Sequence, residues 1–156
     1  MTRLGVAALL IAPIVFGIAG APRSAAAALA ATMSTVEEYE ARSSTGARAL
    51  GEFITLVATL SPNADVDPAQ LGRLQASRDQ FEATVTWLMA CRPPVAVLGR
   101  HVQTLPLQQE TLAAMSAVVE TLRRSDRPGF TVAQEQLSSA LRRFATTLNK
   151  FVPRAP

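Results

Sequence analysis

Histidine and cysteine each occur once in this 156-residue chain, as His101 and Cys91, and tryptophan, tyrosine and lysine are equally scarce. A single cysteine provides no internal disulfide framework, so the core has to hold the domain together unaided. One histidine cannot supply the paired Glu-x-x-His motifs of a helical di-metal site. One of each is also too few for a closed zinc site. Cys-x-x-Cys-His is absent, which excludes covalent haem attachment. Gly-x-Ser-x-Gly is absent too, and the eight glycines are scattered, so no loop cradles a phosphate. Cys91 and His101 are separated by Pro93-Pro94, and nothing in their spacing pairs a nucleophile with a base. Neither Asn63 nor Asn149 lies in an N-glycosylation acceptor sequence. Asn63, Asp65 and Asp67 alternate as at the start of a calcium loop. However, Pro68 stands where that loop needs glycine, and Leu74 where it needs a bidentate glutamate.

Aromatic residues make up only 5% of the chain although 49% of it is apolar, so alanine and leucine carry most of the apolar mass and favour helix over strand. The net charge of +3 includes Arg3 and Arg23 near the start; without them, 13 basic side chains face 12 acidic ones. That balance gives no basic stripe for nucleic acid. The 14 arginines against one lysine, Lys150, read as codon composition rather than as phosphate recognition.

Met1-Thr2-Arg3 is followed by an uncharged apolar run from Leu4 to Ala21 and by the small residues Ser24 to Ala31. This pattern predicts a signal peptide over residues 1–31, cleaved between 26 and 31, and an exported protein, periplasmic or secreted. An uncleaved anchor is the competing reading, since about 18 apolar residues can just span a bilayer. Residues 32–156 are expected to form a single all-α domain, an antiparallel four-helix bundle with one additional short helix.

The helices are read from apolar steps of three and four. Ser34 and Glu37 form a capping-box pattern before a stripe through Val36, Tyr39, Ser43, Gly46, Leu50, Phe53, Val57 and Leu60, whose weak helix propensity at Ser43–Gly46 points to a kink or break there. Asp67-Pro68 opens the second helix, with Leu71, Leu74, Phe81, Val85 and Leu88 buried and Arg78 intruding. Pro93-Pro94 ends it. Val95, Leu98 and Val102 predict a short helix to Thr104. Pro106 is expected to open another, through Leu112, Met115, Val119 and Leu122. Thr131 and Gln134 look like the cap of the last helix, whose stripe is Leu137, Leu141, Phe144, Leu148 and Phe151.

No catalytic, metal or cofactor residue stands out, and the chain is not expected to be an enzyme. Non-covalent haem would need His101 with Met89, Met115 or Tyr39, but the polar setting Gly99-Arg100-His101 suggests a solvent-facing or capping histidine. Glu37, Glu38 and Glu40 suit the start of a helix. The arginines of the last two helices read as a solvated face, with anionic lipid or cell-wall polymer as the alternative partner. Trp87 and Cys91, four residues apart on one flank of the second helix and off its seam, are the candidate interaction surface; cover by Val95 and Leu98 is the bland alternative. The expected function is a protein-interaction module outside the cytoplasm, with an unidentified protein partner or a second copy of the chain. A carrier of a small apolar ligand or haem near Ser43–Gly46 is the second reading, and an envelope- or membrane-surface protein the third.

Overall fold

In a computed structural model, residues 34–60 and 66–151 are described. They form four helices and no strand: α1 (Val36–Ala58), α2 (Pro68–Ala90), α3 (Val95–Arg123) and α4 (Arg127–Leu148). The segment expected to be a signal peptide, the turn through Asn63 and Asp65, and Pro153 lie outside the described residues. Among those described, no helix is long and apolar enough to cross a membrane.

Caps fix where the helices begin. Thr35, not Ser34, caps α1: its hydroxyl accepts from the Glu38 amide at 3.1 Å. Ser34 is instead buried, and its hydroxyl donates to the Arg92 carbonyl. Asp67 caps α2 by accepting from the Ala69 amide, with Pro68 in the first turn, where its missing N–H costs nothing. For α4 the expected Thr131 cap is overturned. The Asp126 carboxylate accepts from the Gly129 amide at 3.0 Å, so the helix starts at Arg127 and Thr131 lies inside it. Ser125 makes the preceding turn at φ 53°.

Two further expectations are corrected. The short helix and its successor are one helix, because α3 runs on through Pro106. A proline inside a helix removes its own N–H and crowds the carbonyl four residues back. That carbonyl belongs to Val102, an exposed residue, so water can satisfy it. The phase of α3 also differs from the one read. Val95, Leu98 and Val102 point outward, Val95 being 84% exposed, whereas Val97, His101 and Thr104 are buried. No break occurs at Ser43–Gly46: α1 continues through it, with Gly46 pressed against α2. A Cβ there would lie 2.7 Å from Thr84 Cγ2. Close packing thus overrides weak local propensity.

Residue pairs give the chain direction. Tyr39 meets Trp87, Gly46 meets Thr84, and Arg73 reaches Glu52, so α1 and α2 are antiparallel. Arg143 pairs with Glu110, and Gly129 lies beside Thr121, which makes α3 and α4 antiparallel too. One core draws on all four helices, with Phe53, Leu74, Met115 and Val118 fully buried and Leu137 and Ala140 closing it from α4. A second, smaller cluster of Tyr39, Leu88 and Val97 gathers Trp87, Cys91 and Leu105 around it. Arg78, the polar intruder on α2, turns to Asp79 and Glu82 at 2.8 and 3.0 Å.

Candidate functional site

The seam between α1 and α4 is open. Each helix packs chiefly on its neighbour in sequence and α1 touches α3 only slightly, while no Cα of α1 comes within 8 Å of one in α4. The core beneath is shared, but the upper parts of the two helices stand apart as the walls of a trench. A cavity of about 570 Å³ occupies one end of it. Small side chains of α1, Ser43, Ser44, Ala47 and Gly51, form one wall; Leu141, Phe144, Ala145 and Leu148 of α4 form the other. Phe81, Thr84, Thr104 and Gln108 lie along the base. A second cavity of about 690 Å³ continues the trench toward Val57 and Gln134, and both are lined by Ile54 and Leu141. The cavity beside Ser43 and Gly46 lies where the carrier reading put its ligand.

This geometry explains the last apolar stripe. Leu137 is buried, but Leu141, Phe144 and Leu148 are only half-buried because α1 does not close over them. What reads in sequence as core is, over half its length, the wall of a groove. Phe151 lies beyond the helix and is exposed.

Polar groups collect at one end of the trench. Arg100 Nη2 donates to Glu40 Oε1 at 2.5 Å, and its guanidinium lies 5.6 Å from the centre of the Tyr39 ring. The Tyr39 hydroxyl is hydrogen-bonded to His101 Nδ1 at 3.1 Å. His101 is 8% exposed, so the solvent-facing or capping expectation is overturned. Its partner lies 62 residues away in sequence, which is why local polarity misled. Burial lowers the His101 pKa below 6.5. Burial also raises that of Tyr39, with the Arg100 charge opposing, so both groups stay neutral around pH 7 and share one hydrogen bond.

Stability should therefore fall on the acid side. Below the ordinary imidazole pKa of 6.5 the unfolded chain takes up a proton that folded His101 resists. The contribution is complete above that value and is lost as the pH falls from there toward the lower folded pKa. Urea midpoints at about pH 7.5 and about pH 5.5 should differ more for the unmodified protein than for His101→Gln. An equal pH dependence in both would remove His101 as the cause.

The other expected site residues are drawn together but not freed. Trp87 and Cys91 share the smaller cluster, both half-buried. Trp87 is partly covered, while Val95 and Leu98 are themselves exposed. Tyr39 lies beside Trp87, with ring centres 6.2 Å apart, and Arg42 lies 5.8 Å above the indole. The Cys91 thiol faces the Leu88 carbonyl at 3.4 Å, and burial pushes its pKa up, the opposite of what an activated thiolate needs. Of the residues considered for haem, Tyr39 and His101 bond directly to each other, Met115 is locked in the main core, and Met89 Sδ accepts from Gln109 on the outer surface. Among the described residues no three His, Cys, Asp or Glu side chains converge as metal ligands.

Compared with protein-family models, with curated proteins and with solved structures, the chain matches none.

Proposed function

We propose that this chain is an exported, non-catalytic carrier that holds a long apolar molecule in the seam between α1 and α4. The observation behind this reading is the open, mainly apolar trench where a closed bundle would have a helix contact. Ligand sites are typically concave, mostly apolar and provided with a few placed polar groups, and cavities of 300–1,000 Å³ are ordinary for them. Here the trench runs about 21 Å from Glu40 to Ile54 at 1.5 Å per residue, a length that suits an extended chain. Each methylene buried contributes about 0.8 kcal/mol. After the cost of immobilisation, a long alkyl chain could reach roughly micromolar affinity, about 8 kcal/mol.

Gly51 gives a clean test, because a Cβ at this wall position meets nothing within 4 Å. Gly51→Phe should fill the trench without disturbing the core. Binding of the neutral fluorophore N-phenylnaphthylamine, and its displacement by cetyl alcohol, should weaken by about tenfold or more while the thermal midpoint holds or rises. Unchanged binding in this variant would sink the carrier reading.

A protein partner is the second reading, and the outer face of α3 favours it. Val95, Leu98 and Val102 are exposed at three-four spacing, and Met89 is 51% exposed beside Gln109 on the same face. From Ala83 to Gln109 the chain has no acidic residue. Exposed apolar stripes of this kind mark association surfaces. Val102→Glu should abolish any concentration-dependent association seen by light scattering, with stability changing by less than about 0.5 kcal/mol. If association is present and survives this change, α3 is not the contact face.

A further inference from the structure

We infer that the occupant of the α1–α4 trench is a single-chain amphiphile with an uncharged hydroxyl- or amide-bearing head, its head at the Glu40–Arg100 pair and its tail toward Ile54 and Leu141. This rests on the carrier reading and goes beyond it by naming the chemical class of the ligand.

The polarity of the first cavity is graded along its length. Glu40 and Arg100 stand at one end together with Ser43, Ser44 and Thr104. Its other end is lined by Leu50, Gly51, Ile54 and Leu141 without a charged side chain, and charge returns only where the second cavity continues, at Glu135 and Arg142. A chain with one polar terminus matches that gradient, whereas a uniformly apolar molecule would leave the charged end unpaired with it.

The charges decide which terminus fits. Arg100 holds Glu40 at 2.5 Å, so this end presents a guanidinium and a carboxylate side by side with no net charge. A guanidinium has five N–H donors, more than the single Glu40 oxygen can use, and a carboxylate accepts at several lone pairs. A hydroxyl or amide can accept from Arg100 and donate to Glu40 at the same time. A carboxylate head would meet Glu40 as a like charge, and an ammonium head would meet Arg100. Of the other polar groups lining this cavity, Gln108 Oε1 is buried without a hydrogen-bond partner and can accept from a donating head, whereas two more are already engaged. The Tyr39 hydroxyl is bonded to His101, and the Thr104 hydroxyl donates to the Arg100 carbonyl at 2.9 Å.

The test compares three probes of equal chain length, each kept below its micellar concentration, on the purified protein near neutral pH: cetyl alcohol, palmitate and cetylamine. Cetyl alcohol should bind about tenfold more tightly than palmitate, and cetylamine should also be the weaker ligand. Glu40→Gln removes the like charge from a half-exposed side chain, and should bring palmitate to within about threefold of the alcohol. Palmitate binding as tightly as the alcohol to the unmodified protein would overturn the head-group assignment and leave the carrier reading standing. So would a gap that persists in a folded Glu40→Gln variant. Failure of all three probes to bind would overturn the carrier reading itself, and this inference with it.

Discussion

Replacing Phe53 with alanine should lower the free energy of unfolding by about 3–5 kcal/mol, on the order of 10–20 °C in thermal midpoint. Phe53 has no exposed surface and sits in the C-terminal half of α1, in the core shared by all four helices. Aromatic residues are few in this chain, so each buried ring fills a volume that alanine and leucine around it cannot recover by small shifts. Phe53→Leu should cost markedly less, since most of the volume is retained. Chemical denaturation with an unchanged slope is the measurement. A loss under about 1 kcal/mol for the alanine variant would show that α1 is not anchored through this ring.

Pro106→Ala should act in the opposite direction, raising stability by about 1–3 kcal/mol. A proline within a helix costs up to about 3 kcal/mol relative to alanine, part of which is offset because proline also restricts the unfolded chain. Pro106 is exposed, so no buried packing is lost when its ring is removed. The new N–H would restore the bond to the Val102 carbonyl. Lower stability in the variant would mean that both halves of α3 need a bend at this point to reach their partners.

The fold class was legible because the signals for it are local and repeated. The stripes through Leu50, Phe53 and Val57, and through Leu74, Phe81, Val85 and Leu88, are buried where their spacing places them. Asp67 with Pro68 opens α2 as its chemistry requires. The sequence misleads where two local signals compete. Ser34 and Thr35 are both good caps, and the one nearer the helix won. Pro106 looked like a helix start because a freed carbonyl on an exposed face costs little, which the sequence does not reveal. On α3, Val95, Leu98 and Val102 outscored Val97 and His101 in hydrophobicity, yet the Tyr39 hydroxyl and the cluster around Leu88 select the latter face. The trench was the least legible feature. Its wall of Leu141, Phe144 and Leu148 has the same pattern as a buried face, and only the distance between the first and last helices, a property of the whole chain, distinguishes them. The small residues Ser43, Ala47 and Gly51 were the available hint.

The missing closure between α1 and α4 also bears on how the chain reaches its native state. With each helix resting mainly on the next one in sequence, most contacts between helices form across a single connecting loop. Such wiring folds on microsecond-to-millisecond timescales, as hairpins of helices that dock in succession. The core shared by all four helices takes in the second half of α1 only, from Ala49 to Val57, whereas the first half meets the smaller cluster through Tyr39. Under amide hydrogen exchange the protein should therefore not open all at once. The amides of the first half of α1, held to α3 by two side-chain bonds, should exchange before those of the α3–α4 pair.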